Sequence, residues 1–291
     1  MPNGEYAIAF DFDGTLIQNG PLNLDKGVHI IFSSWYACRR TGMRTFTDAG
    51  INALIERVVE ACVRYPGAPR FEQFSALINA LVNNRPDSVS SFEGMGLAED
   101  YRRQYDRARD IYNRVYSALN DTAAHHFWHP YPTVKPFLER MTRHYDLYIA
   151  SGVTQDLLRK DFDRHGFDSA CFTAIHGGNE AGGNDKGEIL KAIKRTGYRD
   201  LLFVADSNRD LEYAESAGCK FYRIQSDADY RELDARLPGD FPDERESWDF
   251  EPFELAFLRE KSTGLITAYQ DTDDLPFIEM ARFVNQYTAE E

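Results

Sequence analysis

Acidic residues gather where apolar runs stop. Tyr6-Ala7-Ile8-Ala9-Phe10 is a short apolar stretch that gives way to Asp11-Phe12-Asp13-Gly14-Thr15-Leu16. Leu147-Tyr148-Ile149-Ala150 ends on Ser151-Gly152, and Leu201–Ala205 ends on Asp206, with Asp210 four residues on. Lys186 stands in Asn184-Asp185-Lys186-Gly187, ahead of a helix-like stretch. Carboxylates and an oxygen-rich loop suit Mg²⁺, a hard cation that keeps several waters and shares phosphate oxygens. A carboxylate beside such an ion can attack phosphorus in line, splitting one hard displacement into two easier steps.

Such residues meet only if the elements carrying them lie side by side. Short apolar runs bounded by polar loops read as buried parallel strands: Tyr6–Phe10, Leu147–Ala150, Phe172–Ile175, Leu201–Ala205 and Phe221–Ile224. Between them Thr154–Arg164, Lys186–Arg195 and Asp210–Ala217 carry helical spacing. Alternation of this kind argues an α/β domain with a parallel sheet, where ligands bind at the carboxyl ends of the strands. The stretch from about Asn23 to His126 differs. Leu24–Arg40, Thr47–Tyr65, Phe71–Asn83 and Leu97–Ala124 are helix-like, and no strand pattern interrupts them. The predicted organisation is a Rossmann-like core over 1–20 and 128–226, an inserted all-helical cap over 21–127, and an acidic extension over 227–291. The extension is expected to pack on the core or at an interface.

Taken together, the DFDGTL segment, Ser151, Lys186 and the Asp206/Asp210 pair resemble the haloacid dehalogenase superfamily. The resemblance runs from Tyr6 to Ile224, and the helical block occupies the position of that family's C1-type cap. It implies Asp11 as nucleophile and metal ligand, and Asp13 as the acid that protonates the leaving alkoxide and then takes a proton from water. The Asp13 carbonyl would complete the metal shell. Lys186 would neutralise Asp11 and the phosphoryl group, Ser151 would bond a phosphoryl oxygen, and both would act by preorganised electrostatics. Asp206 is the second metal carboxylate. Asp210 is counted with the metal, through its water or through Lys186 rather than by direct ligation. Aspartate at position 13 resembles the family's phosphatases and phosphomutases rather than its dehalogenases, whose leaving groups need no acid. Two departures from the family pattern are Ala205 where glycine is usual and Gly187 where proline follows the lysine in many relatives.

Other groupings carry weaker signals. His125, His126 and His129 form an HHxxH spacing without the glutamate of a zinc protease, and read as linker histidines. Gly177-Gly178-Asn179-Glu180-Ala181-Gly182-Gly183 lacks the Gly-Lys-Ser/Thr ending of a phosphate loop and reads as a loop carrying Lys186. Lys26, His29, Arg39, Arg40 and Arg44 are the basic cap residues that would suit a second anionic group on a substrate.

Composition bounds the partners. The chain has 291 residues and a formal net charge of -14, with 18 acidic against 6 basic residues from Ser226 onward. Nucleic-acid backbone binding needs a basic stripe that is absent here. No apolar run is long enough for a membrane span. Four separated cysteines fit buried thiols in a reducing compartment, and without a secretory signal pattern the expected location is cytoplasmic. The reading is a Mg²⁺-dependent phosphomonoester hydrolase acting on a small phosphorylated metabolite. Its rivals are a phosphomutase and a non-catalytic interaction protein that keeps the fold.

Overall fold

In the computed structural model, residues 5–18, 24–42, 99–178, 186–246, 252–270 and 275–289 are described. The chain divides into two compact units, Met1–Leu22 with Trp128–Trp248 and Asn23–Phe127 with Asp249–Glu291.

The first unit is built on five parallel strands: β1 (Tyr6–Phe10), β2 (Asp146–Thr154), β3 (Ala174–Gly178), β4 (Asp200–Ala205) and β5 (Lys220–Arg223). Their order across the sheet is β3-β2-β1-β4-β5. β1 is therefore central, with β2 on one side and β4 on the other. Ligands of open α/β sheets sit where the strand order reverses, which here is beside β1.

Side chains alternate across the strands, so both faces are buried. Ile8, Phe10, Leu147, Ile149, Leu202 and Val204 share one core with Phe137 and Leu138 from the helix Val134–Met141, Leu158 and Phe162 from Gln155–Arg164, and Tyr230 and Leu233 from Asp227–Arg236. Ala7, Ala9, Tyr148, Leu201, Phe203 and Phe221 face the opposite core, with Leu190 and Ile193 from Lys186–Lys194 and Leu211 and Ala214 from Asn208–Ala217. This is the doubly wound sandwich that the strand–helix alternation predicts.

Three boundaries differ from the sequence pattern. Phe172 is buried, yet it follows a single helical turn at Ser169–Cys171 that Asp168 caps by accepting from the Ala170 amide, so β3 begins two residues later. β2 runs on past Ser151 to Thr154, with a register shift between Ala150 and Thr154. Gly177 and Gly178 belong to β3 rather than to a loop. A Cβ on Gly177 would fall 2.6 Å from the Gln155 Cα, so the close approach of strand and helix admits only glycine there.

The described part of the second unit is helical. Numbering in chain order, α1 is Leu24–Thr41 and α2 is Glu99–His126. The sheet unit then supplies α3 (Val134–Met141), α4 (Gln155–Arg164), α5 (Lys186–Lys194), α6 (Asn208–Ala217) and α7 (Asp227–Arg236). The chain closes with α8 (Pro252–Gln270) and α9 (Phe277–Ala289). The expected helices Thr47–Tyr65 and Phe71–Asn83 lie outside the described residues.

The segment 227–291, expected as one extension, is divided between the units. Residues 227–246 stay with the sheet, where Tyr230, Leu233, Leu237 and Phe241 join its core. α8 and α9 pack with the inserted helices, α8 on α1 and α9 on α2. Tyr269 of α8 meets Phe32 at 5.3 Å, Trp35 at 6.1 Å and Tyr36 at 5.9 Å between ring centroids. Asn285 of α9 donates to the Leu119 carbonyl at 2.8 Å. The apolar mass of the C-terminus thus completes the helical unit.

Candidate active site

Asp11 follows the last residue of β1, and its amide extends the ladder by donating to the Val204 carbonyl at 2.9 Å. That bond fixes Asp11 beside the end of β4, where Asp206 and Asp210 emerge. Gly14 turns the chain sharply with φ 75, a conformation open to glycine without a steric cost. Phe12 points away from the polar cluster and stacks on Phe162 at 5.3 Å, which anchors the segment to the core. Two tyrosines brace the same segment from beneath. Tyr230 donates to the Thr15 carbonyl at 2.7 Å, and Tyr131 to the Gly14 carbonyl at 3.4 Å. Burial first raises both phenols; carboxylates led by Asp206 add to it for Tyr131, and Tyr131 and then Asp206 for Tyr230, which keeps both protonated as donors.

Lys186 opens α5 and reaches two carboxylates: Asp210 Oδ1 at 2.6 Å and Asp11 Oδ1 at 3.0 Å. Its stem runs past Gly152, where an added Cβ would lie 3.7 Å from the lysine Cε. The Ser151–Gly152 segment of β2 and Lys186 are thereby neighbours. Ser151 is buried, and its hydroxyl accepts from the Val153 amide at 3.2 Å. Asp210 is held on its other oxygen by the Ser207 hydroxyl at 2.6 Å, and Ser207 in turn caps α6 by accepting from the Asp210 amide at 3.1 Å.

Charge in this cluster is unbalanced. Asp11, Asp206 and Asp210 each offer an oxygen, all within 4.8 Å of one another, and Asp11 and Asp210 are buried while Asp206 is half-buried. Lys186 pairs with Asp11 and Asp210, and the Arg223 guanidinium lies within electrostatic range of Asp206 and Asp210. Burial pushes the Asp11 carboxyl up to about 7, with Asp210 adding to the rise and Lys186 only partly opposing it. Lys186 is raised by its two carboxylate partners, which outweigh its burial, so it stays charged. A divalent cation with a preference for oxygen fits both the donor set and the missing charge.

The structure therefore brings Asp11, Ser151, Lys186, Asp206 and Asp210 to adjoining positions at the carboxyl edge of the sheet. Asp13 is half-buried, two residues beyond Asp11. His165, at the end of α4, lies within electrostatic range of Asp13 and His129, and its buried Nε2 has no hydrogen-bond partner. Burial lowers the His165 imidazole to about 4 and keeps it neutral.

Other expected residues fall elsewhere. His29 is fully buried among the helices, where Nδ1 pairs with Asn120 Oδ1 at 2.7 Å, so it is a packing residue rather than one that faces a substrate. Arg39 and Arg40 are exposed over the rings of Trp35 and Tyr36 at 5.3 and 6.0 Å. Lys26 is half-buried, and Arg44 lies outside the described residues. His125, His126 and His129 are exposed and belong to no metal-binding group among the described residues. Sequence reasoning did not single out Tyr131, Tyr230, Ser207 or Arg223. Of these only Arg223 left a trace in the sequence, as a charge within the apolar run Phe221–Ile224.

Among the described residues no helix is long and apolar enough to cross a membrane. No curated protein matches the chain in sequence. Similar solved structures include a predicted phosphoglycolate phosphatase from Haemophilus somnus, 20% identical over 75% of this chain and 85% of that one, with a TM-score of 0.46. A haloacid dehalogenase-like family protein from Streptococcus pneumoniae is 17% identical over 91% and 98% of the two chains, with a TM-score of 0.46. A beta-phosphoglucomutase from a Pyrococcus species is 15% identical over 75% and 86%, with a TM-score of 0.46. The family model for haloacid dehalogenase-like hydrolases matches residues 7–218, close to three quarters of the chain and spanning every residue of the acidic cluster. The chain belongs to the haloacid dehalogenase-like hydrolases.

Proposed function

We propose that the protein is a Mg²⁺-dependent hydrolase of small phosphomonoesters, with Asp11 as its nucleophile. The observation that carries this reading is the buried Asp11 carboxylate, within 3.0 Å of Lys186 and grouped with Asp206 and Asp210. Asp11, Asp206 and the carbonyl of Asp13 would hold the ion, with Asp210 acting through its water or through Lys186. Bound there, Mg²⁺ would supply the positive charge that the carboxylates and the phosphoryl oxygens require.

An Asp11 oxygen attacks phosphorus, the bond to the ester oxygen breaks, and Asp13 gives its proton to the departing alkoxide. Water then attacks the phosphorus of the aspartyl-phosphate. Asp13 takes a proton from that water, the acyl-phosphate bond breaks, and inorganic phosphate leaves Asp11 free. Lys186 holds its charge against Asp11 and the phosphoryl oxygens throughout, while the Ser151 hydroxyl bonds one of those oxygens.

Phosphate release from an aryl phosphate tests this directly, with and without EDTA, for the wild type and Asp11→Asn. Turnover that needs Mg²⁺ and disappears in Asp11→Asn is expected. Metal-independent turnover, or an undiminished variant, would sink the mechanism. A panel of phosphorylated metabolites then identifies the ester.

A further inference from the structure

The Arg223 guanidinium bonds the Asp206 loop from the neighbouring strand β5. Arg223 Nη1 donates to the Asp206 carbonyl at 2.9 Å, and Nη2 donates to Asn208 Oδ1 at 3.0 Å and to the Glu246 carbonyl at 3.3 Å. The planar fork thus joins three pieces of chain: the loop after β4, the first residue of α6, and the segment before the chain crosses to the helical unit.

That last segment is itself strapped to β5, the edge strand. The Glu244 amide donates to the Phe221 carbonyl at 2.8 Å, while the Phe221 amide donates to Asp243 Oδ1 at 3.2 Å. The Arg223 amide donates to Glu244 Oε2 at 3.1 Å, and Arg245 Nη2 to the Cys219 carbonyl at 2.7 Å. Strap side chains thereby take up amides that a sixth strand would otherwise pair, which covers the sheet edge and fixes the backbone from which Arg223 projects.

We propose that Arg223 is a positioning residue for Asp206, and that the strap over residues 241–246 sets the metal affinity of the site through it. The inference rests on the reading of Asp206 as a metal carboxylate. Asp206 is half-buried and follows the last residue of β4, and the Arg223 bond fixes the peptide that carries it. A guanidinium can bond the carbonyl and Asn208 at once because its donors are fixed in one plane; an ammonium cannot reproduce that geometry. Groups that orient metal ligands are worth about 10- to 100-fold in metal affinity.

Direct Mn²⁺ binding to the full-length, metal-free protein tests the proposal, read from the electron paramagnetic resonance signal of free Mn²⁺. Arg223→Met is expected to weaken binding about 10- to 100-fold. Arg223→Lys should recover part of the loss, and Asn208→Ala should show a smaller loss of the same kind. The Mg²⁺ concentration for half-maximal phosphate release should rise in step, while KM for the ester at saturating Mg²⁺ stays put. A folded Arg223→Met with wild-type Mn²⁺ affinity overturns the proposal, as does a fall in kcat with metal affinity intact. If circular dichroism shows that Arg223→Met does not fold, Asn208→Ala decides: weakened binding supports the proposal and unchanged binding overturns it. A wild type that binds no Mn²⁺ overturns the reading of the site, and this inference with it. A wild type that binds, with variants that match it, overturns the inference alone.

Discussion

Lys186 lies closer to Asp210, at 2.6 Å, than to Asp11, at 3.0 Å. Asp210 has one oxygen on the ammonium and the other on Ser207, so its link to the nucleophile runs through the lysine. Removing the charge of Lys186 leaves two buried carboxylates without their cation, whereas neutralising Asp210 leaves the Lys186–Asp11 pair in place. Lys186→Met should therefore lower kcat by about 10³-fold, and Asp210→Asn by a smaller factor of about 10- to 100-fold. Steady-state kinetics at saturating Mg²⁺ checks the ranking; equal losses would contradict it.

The raised Asp11 carboxyl makes a prediction for the metal-free protein. Its folded pKa of about 7 stands above the 3.8 of the unfolded chain, so the folded state holds a proton that the unfolded state releases between those values. The corresponding stability is fully present below about pH 4 and is lost as pH rises through 7. Asp11→Asn should accordingly melt above the wild type at pH 8 without metal, and the gap should close on acidification toward pH 4. Thermal melts across that range decide it. Because protons compete with the ion for Asp11, apparent Mg²⁺ affinity should also fall as pH drops below 7.

His29 gives the opposite sign. Burial lowers its imidazole to about 4, below the usual 6.5, so the unfolded chain binds the proton first. Stability from this group is present above pH 6.5 and is lost as pH falls toward 4. The shift corresponds to about 3 kcal/mol at most. His29→Gln should flatten the pH dependence of chemical denaturation in that window, and an unchanged profile would count against a neutral buried imidazole.

Helices α8 and α9 should be needed for a folded helical unit. A chain ended after Glu246 loses the Tyr269 contacts to Phe32, Trp35 and Tyr36 and the Asn285 bond to Leu119. The expected outcome is a retained sheet unit with the aromatic surface of α1 uncovered, seen as strong binding of a hydrophobic dye. Tyr269→Ala in the full chain should cost about 3 kcal/mol, since truncation of a buried aromatic leaves a cavity.

Much of the fold was legible because the forces that build it act locally. Apolar runs such as Tyr6–Phe10 and Leu201–Ala205 have no way to satisfy both faces except inside a sheet with helices on either side. The polar residues at their ends, Asp11 and Asp206, then had to share one edge. Phe172 was one exception, because burial alone does not distinguish a laddered residue from one that packs after a capped turn. His29 misled for a related reason: a basic residue in a helical block reads as surface until a partner such as Asn120, 91 residues away, is placed beside it.

By itself the sequence determined the parallel α/β core and the helical insertion, since both are written in local apolar patterns, and it offered Asp11, Asp13, Ser151, Lys186, Asp206 and Asp210 as candidates through the resemblance of four separated segments to one family. Tertiary structure alone decided which carboxylate Lys186 holds more closely, how far burial raises Asp11, and that α8 and α9 complete the inserted helices. It also decided that Arg223 grips the Asp206 carbonyl from the next strand. These depend on distances and desolvation between segments far apart in the chain. Only the packed molecule sets those quantities.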